Sequence, residues 1–222
     1  MQIDDRLFEL STKQRFSFEM LGGVVPAIIV DNVYERPDEI REMALQLTYT
    51  RPPYPYPGKL AIPPPNPSLT NLIAWALALV TDQFLPRVPS IIYNGQSIAA
   101  FRNLHTDFGI VDVHPDDLSQ KQRIPHTDPV PVFGLIYLNR EDRGGTLFFE
   151  QVPGPLHARP AEGYMTSNDS SFRLRARIEA AFNRLAIYPG FVPHSGEISG
   201  DWIKSDERFR NPRLTQRLVF FP

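Results

Sequence analysis

The chain has 222 residues, a formal net charge of -2 and a sequence pI near 6.2. This balance provides no overall attraction to nucleic acid or to an anionic membrane, so we expect neither as a partner. Hydrophobic residues make up 42% of the chain and aromatic residues 11%, which excludes a disordered protein and suffices for a sizeable core. The absence of cysteine excludes disulfides, zinc–thiolate sites and a thiol nucleophile, and it is compatible with a cytoplasmic protein.

We expect one domain over residues 1–222, in which residues 1–90 support a core formed by residues 91–222. The elements predicted in the first part are the strands Gln14–Met20 and Val24–Val30 and the helices 37–47 and 69–84. Pro37 and the acidic residues after it are typical of a helix start, and Ser68 or Thr70 is the expected cap of the second helix. We expect no secretory signal, because the first residues lack a basic start followed by an apolar run, and no membrane span, because the longest apolar run is too short.

Prolines crowd residues 52–67, where the missing backbone donors exclude regular helix and central strand. We predict an extended surface loop there. The interpretation that we favour is an ordered coil wrapping the core. Two functional alternatives are a lid carrying Tyr54 and Tyr56 over a site, and a proline-rich ligand for SH3-like domains.

Further elements are predicted beyond residue 90 from alternation, turn signals and caps. They are a strand over 91–102 with a turn at Asn94-Gly95, the strands Phe133–Leu138 and Thr146–Glu150 joined through Gly144-Gly145, a helix within 165–185, and the strand Arg213–Phe221. The arginines of the predicted helix cannot share one face, which indicates a solvated surface rather than a phosphate-binding stripe. No phosphate loop, GxSxG motif or Walker lysine occurs, so nucleotide-dependent and serine-hydrolase chemistry have no anchor.

Three residues are candidate metal ligands. His126 and Asp128 stand two residues apart at the start of the central stretch, and alternate residues of an extended strand face the same way. His194, in the phrase YPGFVPHSG, is the third candidate. Two histidines and one carboxylate on one side of an ion, with the other positions open, are typical of non-haem iron(II) oxygenases.

A second HTD triplet, with His105 and Asp107, lies 21 residues before the first. We favour His126 and Asp128 because a clean strand, a Gly-Gly turn and another strand follow them. A polar segment from His114 follows the earlier triplet and indicates a loop. His105, Asp107 and His114 are interpreted either as residues at the mouth of the site or, preferably, as ordinary polar loop residues, and His157 as a surface residue.

The ordered phrases HTDP, LIYLN, GGTLFF, YPGxxxH and RLTQRLVFF resemble the 2-oxoglutarate and iron(II)-dependent dioxygenase superfamily, particularly its prolyl-hydroxylase-like branch. The resemblance covers roughly the C-terminal half. It implies a mainly β fold with flanking helices, a double-stranded β-helix or cupin-like jelly roll. It also implies iron(II) as the metal of His126, Asp128 and His194, with 2-oxoglutarate as cosubstrate and O2 as oxidant.

The resemblance further implies a holder for the far carboxylate of 2-oxoglutarate, and the planar fork of arginine matches a carboxylate bidentately. Arg213 and Thr215 match the family's Arg and hydroxyl pair, and Tyr137 matches a tyrosine that often bonds the same carboxylate. The interval of 19 residues between His194 and Arg213 is longer than is usual in this branch. It indicates either an insertion at the pocket rim or that Arg217, rather than Arg213, binds the far carboxylate of 2-oxoglutarate. We favour Arg213.

The predicted function is therefore oxidation of an unactivated C–H bond of a small molecule, such as an amino acid or a natural-product intermediate. Hydroxylation is the usual outcome, and desaturation or ring closure are variants. Halogenation is disfavoured, because the carboxylate of Asp128 occupies the position that chloride needs. The alternatives are a protein side-chain hydroxylase, a cupin-like module that binds metal or ligand without turnover, and an interaction domain acting through residues 52–67.

Overall fold

The computed structural model describes residues 4–88, 91–113, 117–141, 143–157, 164–198 and 211–222. The strands are β1 (Arg15–Leu21), β2 (Val25–Asp31), β3 (Lys59–Ala61), β4 (Ile92–Tyr93), β5 (Gln96–Ser97), β6 (Asn103–Val111), β7 (Val132–Tyr137), β8 (Thr146–Gln151), β9 (Phe172–Ile178), β10 (Arg184–Pro189), β11 (His194–Gly196) and β12 (Arg213–Phe221). The helices are α1 (Pro37–Leu45), α2 (Pro67–Leu79) and α3 (Gln120–Arg123). The fold is mainly β, with antiparallel sheets and few helices.

The largest sheet has seven antiparallel strands in the order β1-β2-β10-β7-β12-β6-β3. A three-stranded sheet has the order β11-β8-β9, and β4 and β5 form a small hairpin. Because β2 pairs with β10, the first 90 residues contribute strands to the same sheet as the C-terminal half. An isolated bridge between His126 and His194 adds one more backbone pairing beside β11.

The two faces of the large sheet are covered differently. One face packs against α1 and α2 through a cluster that includes Ile40, Leu72 and Phe220. The other face meets the three-stranded sheet, where Phe148 and Ile178 share a cluster with Tyr137 and Tyr188. Alternation along each strand sends successive side chains to opposite faces, so one sheet supplies both clusters.

The helical run Pro67–Arg87, which continues α2 through a π-helical turn (Val80–Phe84) and a 3-10 turn (Leu85–Arg87), is long and apolar enough to cross a membrane. A buried core helix of a globular protein can have the same length and apolar composition. Leu72, Ala76 and Val80 on this run are buried in the cluster against the large sheet.

Most predicted elements are confirmed. The strands predicted in the first 30 residues are β1 and β2, the predicted tail strand is β12, and the predicted pair around Gly144-Gly145 is β7 and β8. The helices predicted at 37–47 and 69–84 are present as α1 and α2 with its continuation. The cap of α2 was wrong, because Asn66 rather than Ser68 or Thr70 accepts the amide hydrogen bond.

Two predicted elements are wrong. The helix expected within 165–185 is replaced by β9 and the start of β10, because arginines at alternate positions 173, 175 and 177 follow the period of a strand paired to β8. The strand expected over 91–102 is only the short β4–β5 hairpin around Asn94-Gly95. The long strand begins at residue 103, and it carries His105 and Asp107.

Candidate functional site

His126, Asp128 and His194 lie together at one end of a cavity between the sheets. One ligand atom from each residue lies within 4.8 Å of the other two, and Asp128 Oδ2 is 3.3 Å from His194 Nε2. A single cation between them can reach all three. Among the residues that the structure describes, this is the one group of three histidines, cysteines or carboxylates close enough to share an ion.

Backbone hydrogen bonds position the three ligands. The amide of His126 donates to the carbonyl of His194 and the amide of His194 donates back, at 2.9 and 2.8 Å. The amide of Asp128 donates to the carbonyl of Gly190 at 2.8 Å. Two distant stretches of chain are thereby joined at the site itself, so the ligands depend on β-type pairing rather than on loop geometry.

The His194 side chain has a defined tautomer. Its Nδ1 lies 2.8 Å from the carbonyl oxygen of Val192, and because a carbonyl can only accept, Nδ1 carries the proton. Nε2 then has a free lone pair directed at Asp128 and the candidate ion position. A ring nitrogen that donates to a backbone carbonyl while the other binds metal is the usual arrangement of a metal-ligating histidine.

Electrostatics keep the ligands in their metal-binding forms. Desolvation by the surrounding protein, with a smaller contribution from His194, lowers the pKa of the His126 imidazole to about 4 although the residue reaches solvent. For Asp128, burial alone raises the pKa, but the interaction with a proton on His194 Nε2 outweighs it and holds the pKa below its ordinary value; a cation between the two residues would take the place of that proton. A neutral imidazole and an ionised carboxylate are the ligating states.

The cavity continues from the ligands to a buried arginine. It encloses about 140 Å³, close to the ~150 Å³ of an engineered cavity that holds a benzene-sized molecule. Arg213 is 6% exposed and donates to the carbonyls of Gly144 and Gly145 at 2.8 and 3.5 Å. Within the described ranges no carboxylate pairs with it.

Three hydroxyl groups that line the same cavity are buried and make no hydrogen bond with any described residue. They belong to Tyr164, Tyr188 and Thr215. Buried polar groups are nearly always paired, so three of them around one arginine indicate that the cavity is built for a polar ligand. The sequence analysis had included Thr215 but missed both tyrosines. The alternation of β10 could have indicated Tyr188, because it turns this side chain to the inner face of the sheet.

Tyr137 lies one layer behind the cavity rather than on its surface. Its hydroxyl is hydrogen-bonded to Thr146 Oγ1 at 2.7 Å, and Thr146 lines the cavity while Tyr137 does not. Burial raises the pKa of Tyr137, so the hydroxyl stays protonated. Tyr137 is therefore not positioned to contact a ligand carboxylate directly. Thr146, which the sequence interpretation missed, lines the cavity wall in front of it.

The earlier HTD triplet serves another purpose. Asp107 is 3% exposed on β6 and accepts two hydrogen bonds from Arg217 on the neighbouring β12, Nε to Oδ1 at 2.6 Å and Nη2 to Oδ2 at 2.7 Å. His105 Nε2 lies 3.2 Å from the same carboxylate. The expectation of ordinary loop residues was wrong for both, because they stand on a strand inside an ion-paired network. His114 lies outside the described residues.

The ion pair with Asp107 also determines whether Arg217 is available to bind a ligand carboxylate. Burial alone lowers the pKa of Arg217, but the hydrogen bonds that it donates to Asp107 outweigh this effect and raise the pKa above its ordinary value. The two candidate carboxylate holders thus differ: Arg217 already has an acid partner, whereas Arg213 has none among the residues described. Most of the interval between His194 and Arg213, in which we predicted an insertion, lies outside the described residues.

The proline-rich segment forms part of the cavity wall. Tyr54, Pro55, Tyr56 and Pro57 line the cavity, and Gln122 holds the segment by donating to the Tyr56 carbonyl at 2.9 Å. A Cβ added at Gly109 of β6 would stand 2.4 Å from the Tyr56 hydroxyl, so only glycine permits this approach. Residues 54–57 thus lie at the cavity, where the lid alternative places Tyr54 and Tyr56. His157 is exposed, as predicted.

Fold and site together define a mainly antiparallel β protein with a His-Asp-His cluster in an arginine-containing cavity. The chain belongs to DUF6445, a family of unknown function, whose model matches residues 13–156 and 153–220. No curated protein matches it significantly. Among solved structures, a bsmA homologue from Methylobium petroleophilum PM1 aligns with 13% identity and a TM-score of 0.39, over 96% of this chain and 76% of that one. At this similarity the alignment carries no conclusion about function.

Proposed function

We propose that this protein is an iron(II)- and 2-oxoglutarate-dependent dioxygenase that oxidises a C–H bond of a small molecule. The observation that carries the proposal is one cavity lined both by a His-Asp-His cluster and by buried Arg213, which has no acidic partner among the described residues. The cluster offers one face of ligands to a metal, and Arg213 offers a site to a carboxylate.

The proposal extends to the fold, a cupin-like double-stranded β-helix. From β6 onward the chain passes back and forth between the two sheets. Strands β6, β7, β10 and β12 lie in the large sheet, and β8, β9 and β11 lie in the small one. Between β6 and β7, His126 also forms a bridge to β11 of the small sheet. Alternation of this kind between two facing antiparallel sheets is expected for a jelly roll, which protects its edges.

His126, Asp128 and His194 fit an iron(II) ion by donor chemistry. Two neutral imidazoles and one carboxylate match the two-histidine, one-carboxylate set, and the remaining directions face the cavity rather than protein ligands. The rings of Phe148 and Tyr188 lie 6.3 and 5.1 Å from the His194 ring and hold its orientation. With Asp128 as the third ligand, hydroxylation is favoured over halogenation.

Arg213 and the unpaired hydroxyls fit the far carboxylate of 2-oxoglutarate. The Nε and Nη2 atoms of Arg213 are held by backbone carbonyls, while Nη1 makes no hydrogen bond with a described residue. Thr215 on the same strand face and Tyr164 add hydroxyl donors to the same cavity. A dicarboxylate spanning from this end to the histidine cluster would satisfy the buried groups at both ends.

Oxidation of a substrate C–H bond, with conversion of 2-oxoglutarate and O2 to succinate and carbon dioxide, is the chemistry that an iron(II) ion supplies at such a site. The residues of this chain hold and orient the reactants. Val192 fixes the tautomer of His194, Arg213 anchors the carboxylate, and apolar Leu135 and Phe133 in the cavity wall limit the access of water.

The test is anaerobic titration of the protein with iron(II) and 2-oxoglutarate, followed by visible absorption of the weak metal-to-ligand charge-transfer band. We expect the wild-type protein to develop the band and Asp128→Ala to lose it, because the variant lacks one of three ligands. Asp82→Ala is the matched control, since this exposed aspartate lies outside the cavity, and it should titrate like the wild type.

Two outcomes would contradict the proposal. Loss of the band with Asp107→Asn and not with Asp128→Ala would show that the earlier HTD triplet is the metal site. Metal binding without the band and without succinate release would favour a cupin-like binding module over an oxygenase. A panel of small molecules, with succinate measured under air, then identifies the substrate. A cytoplasmic location, compatible with the cysteine-free sequence, is also part of the proposal.

A further inference from the structure

A second and larger cavity adjoins the metal cavity. It encloses about 740 Å³, within the ~300–1,000 Å³ typical of sites for small organic molecules. Two residues, Tyr54 and Arg217, line both cavities and form the partition between them. We call this second cavity the outer cleft; its lining residues are Leu47, Thr48, Thr50, Pro52, Tyr54, Leu60, Ala61, Ile62, His105, Asp107, Arg217 and Val219.

The partition is held rigidly by an ion pair and by aromatic contacts. The two hydrogen bonds between Arg217 and Asp107 fix the plane of the guanidinium, whose carbon lies 5.2 Å from the centroid of the Tyr56 ring. Arg217 Nη2 also donates to the Tyr54 hydroxyl at 3.3 Å. Arg217 and Tyr54 line the same cavity as His126, Asp128 and His194, so the partition faces the candidate metal ligands.

The opposite wall of the outer cleft is apolar. Leu47, Leu60 and Val219 contribute aliphatic surface, and Ile62 at the end of β3 is 76% exposed. An isoleucine left in water gains nothing for the fold, whereas a ligand seated against it would remove its surface from solvent. The outer cleft therefore combines an apolar wall with a polar end.

The charge at the polar end is already balanced. Asp107 neutralises Arg217, so a carboxylate placed there would face the Asp107 carboxylate, and an ammonium would face the guanidinium. Either ion would lose its hydration without gaining a partner of opposite charge. Hydrogen-bond donors remain, since Arg217 Nη1 makes no hydrogen bond with a described residue and the Tyr54 hydroxyl, having accepted from Nη2, can donate onward.

We propose that the outer cleft binds the substrate, and that this substrate is an uncharged molecule with an apolar body and one carbonyl or hydroxyl acceptor directed at Arg217 and Tyr54. The inference rests on the proposed oxygenase function, because it places the molecule to be oxidised against Tyr54 and Arg217, which also line the metal cavity. It narrows the substrate class by excluding molecules that bring a single anionic or cationic group to Arg217 and Asp107.

Calorimetric titration of the metal-free protein tests the binding, with three probes that share one body and differ in charge. The probes are 4-phenylbutanamide, 4-phenylbutanoate and 4-phenylbutylamine. We expect the amide to bind most tightly. Ile62→Asp should weaken the amide about tenfold, since a loss of ~1.4 kcal/mol of apolar contact corresponds to that factor. Ile92→Asp, an equally drastic change at a 62% exposed position outside both cavities, should leave the affinity unchanged.

A second measurement locates the bound amide. Manganese(II) at the metal site should broaden the proton resonances of 4-phenylbutanamide in the wild-type protein, and Asp128→Ala should remove the broadening. Metal occupancy is followed on the same samples by electron paramagnetic resonance. If manganese(II) fails to bind, the proposed function fails, and calorimetry still decides whether the outer cleft takes an uncharged ligand.

Three results would overturn the inference. They are tighter binding of the anion or the cation than of the amide, an affinity that Ile62→Asp does not change, and an amide that binds without broadening although manganese(II) is bound. Failure of all three probes to bind would equally exclude the outer cleft as a site for this class of molecule.

Discussion

At the scale of single residues, the same residue type takes different roles according to its partner. Arg213 and Arg217 stand four positions apart on one face of β12, yet Arg217 is paired to Asp107 while Arg213 contacts only backbone carbonyls among the described residues. A buried guanidinium with a carboxylate partner is satisfied, whereas one without a partner is prepared to bind an anion. This difference is the reason to assign the cosubstrate to Arg213.

Replacing Arg213 by glutamine should therefore raise the concentration of 2-oxoglutarate needed for half-saturation of the charge-transfer band. A hydrogen bond to a charged group contributes ~1.5–3 kcal/mol, which corresponds to roughly 10- to 100-fold. Arg175→Gln is the matched control, because Arg175 lies on β9 outside the cavity and pairs with Glu150. The assignment is wrong if Arg213→Gln titrates normally and Arg217→Gln does not.

At the scale of elements, three strands of the large sheet are joined by one carboxylate. Asp31 at the end of β2 accepts from Arg184 of β10 at 2.6 Å and from Arg15 of β1 at 3.2 Å. The hydrogen bond from Arg184 outweighs the effect of burial and lowers the pKa of Asp31 below its ordinary value of 3.8. The ion pairs thus connect the N-terminal hairpin to the central strands.

Because the folded-state pKa of Asp31 is lowered, the stabilisation is complete above the unfolded-state pKa near 4 and is lost as the pH falls through the folded-state value. Asp31→Asn should lower the free energy of unfolding at pH 7 by at most about 1 kcal/mol, since the pair is partly exposed to water and salt. The difference should disappear at pH 2, as measured by urea unfolding.

A double-mutant cycle separates this pair from other effects of the substitution. Arg184→Gln should cost a similar amount at pH 7, and the double variant should cost less than the sum of the two. Additive losses would show that Asp31 and Arg184 do not interact in solution, and a difference that persists at pH 2 would show that another group is responsible for it.

At the scale of the whole molecule, buried polar contacts connect the N-terminal part to the last strand. The Tyr34 hydroxyl bonds Gln216 Oε1, and Gln216 in turn donates to Thr106 Oγ1 at 3.0 Å. Asn183 exchanges hydrogen bonds with the backbone of Tyr34 at 2.9 Å. Residues 149 and 182 positions apart in the chain are thereby held in one core.

We expect Tyr34→Phe to lower the free energy of unfolding by ~1–3 kcal/mol, because it leaves the buried Gln216 oxygen unpaired. For a chain of this size the midpoint of thermal unfolding should fall by ~2–4 °C for each kcal/mol. Tyr188→Phe is the matched control: it removes a buried hydroxyl that has no partner among the described residues, so stability should stay equal or rise. Equal losses in both variants would exclude the hydrogen bond as the cause.

The sequence alone indicated the features that depend on local pattern. Apolar runs bounded by turn residues predicted β2, β7 and β8, and the period-two pattern of the tail predicted β12. Helix-start chemistry predicted α1, and an apolar run ending before Pro86 predicted α2, although its cap was misassigned. The alternation of Arg173, Arg175 and Arg177 should have indicated β9 as well, where candidate cap residues led us to predict a helix. The ligand types His126, Asp128 and His194 also came from the sequence, and the structure brings them together; their binding of iron stays a prediction.

Only the tertiary structure decided which groups are partners. Asp107 and Arg217 are 110 positions apart, and nothing local in either segment shows that β6 and β12 pair in the register that joins them. The three unpaired hydroxyls and the outer cleft have the same origin, because a cavity is the space left when distant strands and the residue 54–57 segment meet. Local propensity selects the elements, whereas long-range pairing and burial determine which side chains they share.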